Sequence, residues 1–425
     1  AMENAGAITF RERMLLADEK NASVGVRKSV ASVIAHELAH QWFGDLVTMK
    51  WWDDIWLNEG FATWAANKPL AAWKPEWNLD LNAATEKQTA LGLDTLRSTR
   101  AIHTQVNTPA EINEVFDPIA YEKTASVLGM VEAFVGPEKF REGVSSYLSK
   151  YSLGNAAGED FWNEVTRVTE KPVNRIMKSF VEQVGAPLLT AKTKCVNGAT
   201  EISLSQSRFI GTPDAPKTLT TQHWTLPVCV KTGANPGVCT VVTEESQTLR
   251  VPGCGAPMIN AGGVGYYLTE YEPSAVMELA KRTPPLTATE KVSLLGDEWR
   301  MVRSGRHDVG VYLDLAAALA SERTPEVTGE MAGRIGVVMS DIADQNQRQP
   351  FEAWIKKQFR PTLDAIGLMP KPDDTDQINQ LRAILLQLLS GDPDLQARAR
   401  TLVDGYMKRS EEHTSELQSR LHLVC

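Results

Sequence analysis

The sequence predicts a multidomain α+β protein with a helix-rich block over residues 1–187, a small β-sandwich over 188–273 and an α-helical, solenoid-like block over 274–408. Length is the first observation behind this prediction, because 425 residues that are 43% hydrophobic can form two or three cores. The residue pattern is the second observation. Helical periodicity fills both outer blocks, whereas the middle block alternates short β-branched stretches with Gly, Pro and Asn.

The first block contains several expected helices. An apolar run of small residues, 29–35, should form a largely buried helix that continues through Phe43, and a second helix should carry residues 56–62. Helical periodicity marks three further stretches: 120–135, 138–151 and 159–183, the last interrupted at Pro172.

The other two blocks have different patterns. Four candidate strands lie in the middle block: 200–205, 223–230, 240–243 and 264–271. In the third block, helix patterns alternate with Pro or Gly breaks, for example over 288–303, 309–320, 325–343 and 378–389. This alternation is typical of the start of a helical solenoid, although the sequence has no strict internal repeat.

Charge and hydropathy exclude some function classes. The net charge of −9 and the isoelectric point near 5.5 disfavour nucleic acid or an anionic membrane as the main partner. The sequence has no run of 18 apolar residues, so we expect no membrane insertion.

The segment HELAH, residues 36–40, carries the clearest chemical signal. A helix turns once per about 3.6 residues, so His36 and His40 share a face and can offer two imidazole nitrogens to one ion. Glu37 lies about 100° round the helix, where it can reach a water at the metal and act as general base. Glu59, eighteen residues further on, supplies the third ligand that a catalytic zinc needs. The pattern predicts a peptidase-type site with one Zn²⁺ per chain.

The five-residue pattern alone also occurs in helices that bind no metal. In that alternative the histidines are surface polar residues and the glutamate is solvated. We favour the metal because polar side chains in a buried segment need partners, and the local sequence offers no other.

Three motifs in the same order resemble the M1 family of zinc aminopeptidases. Residues 1–4 (AMEN) resemble the family's Gly-Ala-Met-Glu-Asn motif, residues 36–48 its zinc helix and residues 56–62 (WLNEGFA) its third-ligand segment. The resemblance extends from Ala1 to about Lys408 and implies a thermolysin-like zinc peptidase domain in the first block. By position it implies these roles: His36, His40 and Glu59 as zinc ligands, Glu37 as base, Glu3 as anchor of the substrate α-amine, Ala1 and Met2 as pocket residues, and Tyr121 as transition-state stabiliser.

Two of these positions, Glu3 and Tyr121, have alternative interpretations, and two further positions, Asp45 and Thr124, also need comment. Glu3 could be a solvated carboxylate, but facing the pocket it would pair with an ammonium group and select peptides with a free N-terminus. Tyr121 could be a core aromatic, or its phenol could donate to the developing oxyanion. Asp45 could orient a ligand histidine or lie on the surface. Thr124 stands where the family usually has Gly, a departure expected to affect packing more than chemistry.

Four cysteines lie in the predicted sandwich: Cys195, Cys229, Cys239 and Cys254. They could form two disulfides in three connectivities, or remain buried free thiols. Disulfides would favour an exported, for example periplasmic, protein over a cytoplasmic one.

We make a separate prediction for each end of the chain. Residues 409–425 resemble the translation of a sequencing-adapter oligonucleotide, so we treat them as a non-native tail and give His413, His422 and Cys425 no function. The chain begins inside the first motif, and the resemblance implies a preceding N-terminal domain of the same protein that helps hold the substrate amine.

Together these observations predict a zinc-dependent aminopeptidase acting on peptides with a free N-terminus. Two alternatives stay open: an epoxide-type hydrolase of the same family, and a non-catalytic peptide-binding protein on a peptidase fold. A binding protein need not keep the base, yet Glu37, the three ligands and Tyr121 are all present.

Overall fold

A computed structural model describes residues 1–18, 22–213, 222–235 and 237–407. The chain divides into two compact units, Ala1–Ala17 with Gly25–Val311 and Asp18–Val24 with Tyr312–Cys425. The domain boundaries at 187/188 and 273/274 stay predictions, and the tail at 409–425 lies outside the described residues.

Helices are the most frequent element of the first unit. Its helices are α1 Glu12–Leu15, α2 Val24–Ala39, α3 Trp56–Trp73, α4 Leu79–Asp94, α5 Pro109–Glu114, α6 Thr124–Val135, α7 Pro137–Lys150, α8 Gly158–Thr169, α9 Val173–Val181, α10 Pro273–Ala280 and α11 Ala288–Arg303. A single π-helical turn, Ile119–Lys123, leads into α6. Short 3₁₀ turns cover Trp52–Asp54, Pro75–Trp77 and Ala261–Gly263.

The described residues of this unit also form three small sheets. The strands are β1 Val47–Met49, β2 Gly154–Ala156, β3 Ala186–Val196, β4 Ala199–Phe209, β5 Leu226–Val230, β6 Val238–Val242, β7 Ser246–Pro252 and β8 Leu268–Glu270. A parallel pair joins β1 to β2, a four-stranded sheet has the order β7-β4-β3-β8, and β5 pairs with β6. The four predicted strands overlap β4, β5, β6 and β8, whereas β3 and β7 were not predicted.

The second unit is helical. It contains most of α12 Val309–Ala318, then α13 Pro325–Val337, α14 Gln345–Ile366, α15 Asp376–Leu388 and α16 Pro393–Met407. A π-helical turn, Val338–Ile342, extends α13, so the predicted helix over 325–343 is continuous but changes its winding. The predictions over 309–320 and 378–389 match α12 and α15 to within two residues at each end.

Aromatic packing fixes the helix that carries Glu59. Trp56 and Phe61 of α3 are fully buried. The ring of Phe61 stacks on Phe43, with centroids 4.7 Å apart, and meets Phe161 of α8 edge to face at 4.7 Å. These contacts place the first turn of α3 against the segment that follows α2.

The helix that carries His36 differs from its prediction in two ways. It ends at Ala39 rather than continuing through Phe43, because the chain turns back toward β1, although the His40 N–H still bonds to the His36 carbonyl at 3.3 Å. The prediction of a largely buried segment was wrong for most of its length: residues 30–36 are only partly buried, and Leu38 and Trp42 are 50% and 53% exposed. Burial is concentrated at its end, around Glu37 and His40.

All four cysteines of the middle block are paired. Cys195 bonds to Cys254, joining β3 to the segment after β7, and Cys229 bonds to Cys239 across the β5–β6 pair. The structure thus selects one of the three connectivities. Among the described residues, no helix combines the length and the apolar character needed to cross a bilayer.

Candidate metal centre and active site

Three side-chain atoms converge in one cluster. They belong to His36 in α2, to His40 directly after that helix and to Glu59 in α3. The Nε2 atoms of His36 and His40 lie 3.1 Å apart, and Oε2 of Glu59 lies 3.2 Å and 3.3 Å from them. All three side chains are withdrawn from solvent, with exposures of 18%, 1% and 6%. Ligands about 2.0–2.1 Å from a tetrahedral metal lie about 3.3 Å from each other, so the cluster has the spacing of three zinc ligands.

Hydrogen bonds leave lone pairs facing the centre of this cluster. Nδ1 of His40 donates to the Phe43 carbonyl at 2.9 Å, which leaves its Nε2 without a proton in the neutral ring. Nδ1 of His36 faces the Thr63 hydroxyl at 3.5 Å, and that hydroxyl donates to the Glu59 carbonyl at 2.7 Å. Two bare nitrogens and a carboxylate repel one another unless a cation or a proton lies between them. The donor set and its spacing therefore fit a divalent zinc ion.

The charge of Glu59 is matched to this role. Burial alone would raise the pKa of its carboxyl, but hydrogen bonds with His36 and His40 bring that pKa down to about 2. Burial also disfavours the charged form of His40, yet the bond to Glu59 raises the pKa of its ring. The carboxylate is ionised at neutral pH, as a metal ligand must be.

Glu37 lies beside the cluster and is 6% exposed. Burial raises the pKa of its carboxyl above the ordinary value of 4.5, while His36 and His40 act in the opposite direction. A carboxylate with a raised pKa is a better proton acceptor at neutral pH than a solvated one. Glu37 lines the same cleft as the three candidate ligands.

The first residues of the chain form one edge of the cleft. Ala1, Met2 and Glu3 all line it, and Met2 bridges to Thr9 in a short antiparallel pairing. A carboxylate oxygen of Glu3 lies within 4.8 Å of ligand-capable atoms of Glu37 and His40. The structure therefore places Glu3 in this cleft, and its role as anchor of the substrate α-amine stays a prediction.

Tyr121 reaches the cleft from the π-helical turn. Its ring stacks on His36, with centroids 5.9 Å apart and ring planes 19° apart. Burial and the nearby charge of Glu59 raise the pKa of its phenol well above the ordinary value of 10. The hydroxyl is therefore a hydrogen-bond donor at all physiological pH values.

The cleft is a single open cavity of about 780 Å³. Aromatic side chains from two segments form part of its wall: Trp51, Trp52 and Phe116. Trp51 is 53% exposed and is held by a bond from its indole N–H to the Val106 carbonyl at 2.8 Å. No local pattern distinguishes these tryptophans from the core aromatics nearby.

Contacts now describe the surroundings of His40 and of Thr124. The Phe43 carbonyl, not Asp45, accepts the Nδ1 proton of His40. The unusual Thr124 is fully buried, and its hydroxyl donates to the Ile119 carbonyl at 3.2 Å across the π turn. Sequence reasoning missed the roles of Phe43 and Thr63, because a backbone carbonyl and a lone hydroxyl leave no recognisable motif.

Two family models match this sequence. The model of the Peptidase family M1 domain matches residues 1–180, which include every candidate site residue. The model of the ERAP1-like C-terminal domain matches residues 258–422, a range that runs into the tail predicted to be non-native.

Curated relatives match most of the chain. It is 34% identical to Tricorn protease-interacting factor F2 of Thermoplasma volcanium over 93% of its length, covering 48% of that protein. It is 38% identical to Probable aminopeptidase 1 of Sulfurisphaera tokodaii over 78% of its length, covering 41% of the relative. It is 32% identical to the Alanine/arginine aminopeptidase of Saccharomyces cerevisiae over 97%, covering 48%. The chain thus spans a little under half the length of these relatives.

Proposed function

This chain belongs to peptidase family M1, and we propose that it carries the catalytic centre of a zinc-dependent aminopeptidase that removes the N-terminal residue from peptides. The single observation that carries the proposal is the triangle of His36 Nε2, His40 Nε2 and Glu59 Oε2, with sides of 3.1–3.3 Å, beside the buried carboxylate of Glu37. Its substrates would be peptides with an unblocked α-amine.

His36, His40 and Glu59 would hold one Zn²⁺, which when bound supplies a Lewis acid for the scissile carbonyl and makes a neighbouring water more acidic. Glu37 accepts the proton of the attacking water through its carboxylate. The same carboxyl then returns the proton to the leaving amine nitrogen. Burial of Glu37 supports both steps, because it raises the pKa of the carboxyl toward neutrality.

Tyr121 and Glu3 orient the substrate on either side of this centre. The phenol of Tyr121 donates a hydrogen bond to the carbonyl oxygen as it gains negative charge. The Glu3 carboxylate pairs with the α-ammonium group and so fixes the first residue of the peptide in the cleft. Ala1 and Met2, on the same edge, contact the substrate backbone. These roles make the enzyme an exopeptidase.

We also keep the domain organisation that the sequence predicts. We propose a thermolysin-like peptidase domain over 1–187, a β-sandwich over 188–273 and a helical domain over 274–408. The two separate sheets around β3 and β5 support the sandwich, and the run of helices from α10 to α16 supports the helical domain. The two disulfides support an exported protein.

The test is hydrolysis of a panel of aminoacyl reporter amides by the full-length protein, each offered with a free and with an N-acetylated α-amine. We expect cleavage that is confined to free amines, lost on adding a chelator and restored by zinc. Glu3→Gln should raise KM for free amines, with Glu12→Gln as a matched control in the exposed α1. Equal cleavage of acetylated substrates would remove the role of Glu3, and inactive zinc-loaded protein would favour the binding-protein alternative.

A further inference from the structure

Lys123 and Asp94 form an ion pair in which neither side chain is exposed to solvent. Nζ of Lys123 lies 2.9 Å from Oδ2 of Asp94 and donates to the Gly185 carbonyl at 3.2 Å. The Tyr266 hydroxyl donates to the same Asp94 oxygen at 3.2 Å, and the Thr99 hydroxyl donates to the other oxygen at 3.2 Å. The pair therefore connects the end of α4 to the segments that precede β3 and β8.

Such a pair is a poor source of stability. Removing two charges from water is costly, and their mutual attraction with its hydrogen bonds often only offsets that cost. Burial lowers the pKa of Lys123, against the opposing effect of Asp94, which reflects the same penalty. Buried pairs of this kind can often be replaced by apolar side chains without loss of stability. The presence of this buried pair is better explained by the local backbone conformation that it stabilises.

That conformation is the π-helical turn that carries Tyr121. Lys123 is the last residue of the turn, two positions after Tyr121. At the other end, the Asp117 carboxylate accepts bonds from the N–H groups of the first two residues of the turn at 2.9 and 3.2 Å. Arg100 holds Asp117 with two bonds of 2.6 and 3.1 Å. π turns are rare in proteins, and those that occur are often found at functional sites. Here charged side chains fix both ends of the turn.

We propose that Lys123, held by Asp94, is a positioning residue for Tyr121. This inference rests on the proposed function, because that function requires the phenol of Tyr121 to lie beside the metal ligands. Lys123 does not line the cleft. It fixes the winding of the turn, and the winding decides whether the Tyr121 ring can stack on His36.

The test is a double-mutant cycle in the full-length protein. Lys123→Met combined with Asp94→Leu removes both charges at similar volume and is paired with Tyr121→Phe. We expect the charge-free pair to lower kcat by up to about 100-fold with KM unchanged, the size that misplacement of a catalytic group by about 1 Å can produce. In the Tyr121→Phe background the same change should cost nothing further, because its effect passes through the phenol. Equal losses of kcat in both backgrounds would overturn the proposal.

A matched control separates this effect from general loss of a buried charge pair. Arg382 and Asp374 of the second unit form a similarly buried pair at 2.5 Å, with side-chain exposures of 3% and 10%. Arg382→Met combined with Asp374→Leu should leave kcat unchanged. Where the apolar variant of Lys123 and Asp94 does not fold, Lys123→Gln combined with Asp94→Asn removes both charges but keeps hydrogen-bonding groups, and it should give the same pattern with a smaller loss.

Fluorine NMR of a fluorinated tyrosine at position 121 gives a readout that does not depend on turnover. The wild type should show one narrow resonance that shifts when zinc is added, and the charge-free variant should show several or broadened resonances. An unchanged resonance in a folded variant would overturn the proposal. If the wild type lacked aminopeptidase activity, the proposed function would fail, while this comparison would still decide whether Lys123 positions Tyr121.

Discussion

The Nε2 atoms of His36 and His40 lie 3.1 Å apart, closer than two unprotonated imidazole nitrogens would approach without a cation or a proton between them. Glu59 completes the cluster from α3, so the donors come from α2, from the residue that directly follows it and from a second helix. A metal held by these atoms ties the end of α2 to the first turn of α3. Binding of the metal should therefore contribute to stability as well as to catalysis.

Zinc should raise the melting temperature of this protein. A ligand that binds only the folded state stabilises it by about 4 kcal/mol when its free concentration is about a thousand times Kd. We expect a chelator to lower Tm, and His40→Ala to remove both the bound zinc and this response. His103→Ala is the control, because His103 bonds to Asp54 outside the cluster. A wild-type Tm that is the same with and without zinc would contradict the prediction.

Gly60 should not tolerate a side chain. A Cβ at this position would lie 2.2 Å from Cγ2 of Thr124, which is closer than side-chain contacts allow. Gly60→Ala should therefore lower the free energy of unfolding by about 1–3 kcal/mol, the usual range for overpacking a buried site. Denaturant unfolding measures this value.

A second substitution should partly restore the stability of the Gly60→Ala variant, and another glycine provides a control. Thr124→Gly removes the clashing methyl group, so the double variant should recover part of the loss. Gly92→Ala in the exposed face of α4 meets no atom within 4 Å and should stabilise the protein by about 0.5–1 kcal/mol. Equal destabilisation by both alanine substitutions would show that the contact with Thr124 does not matter.

Stability should fall with rising pH through the titration of His307. Its Nδ1 lies 2.9 Å from both carboxylate oxygens of Glu298, and this bond raises the pKa of the ring above 6.5 despite burial. A group with a raised folded-state pKa stabilises the protein fully below its unfolded pKa, and this contribution is lost as the pH rises through the folded-state value.

The measurement is urea unfolding of the wild type and His307→Asn at about pH 6 and about pH 8.5. We expect the wild type to be more stable than the variant by a larger margin at the lower pH. A margin that is independent of pH would mean that the proton on His307 is not held by Glu298 in the folded protein.

The sequence could predict elements whose signal is local. The spacing of His36, Glu37 and His40 predicted their common face, and the regular pattern over 288–303 predicted α11 at its observed bounds. The β3–β4 hairpin was missed although its signal is local: Asn197 and Gly198 form the two-residue turn with positive φ at both positions. Asn-Gly between two β patterns is a strong hairpin signal, and it could have revealed β3.

Other features depend on contacts that no local pattern carries. The pair of Lys123 and Asp94 joins residues that are 29 positions apart, and β1 pairs with β2 across 107 positions. The end of α2 at Ala39 could not be read from hydropathy, because apolar residues continue beyond it as Trp42 and Phe43. The return of the chain there brings the Phe43 carbonyl to His40, which is a consequence of the fold rather than of a motif.

The most direct test of the central claim is the zinc content and the turnover of Glu37→Gln, measured beside His40→Ala in the same full-length protein. Glutamine keeps the shape of the side chain but cannot accept the proton, so Glu37→Gln should retain one zinc per chain and lose kcat by about 10²–10⁴-fold. His40→Ala should lose both zinc and turnover. Normal turnover by Glu37→Gln would contradict the assignment of Glu37 as the base, and full zinc occupancy in His40→Ala would contradict the metal site itself.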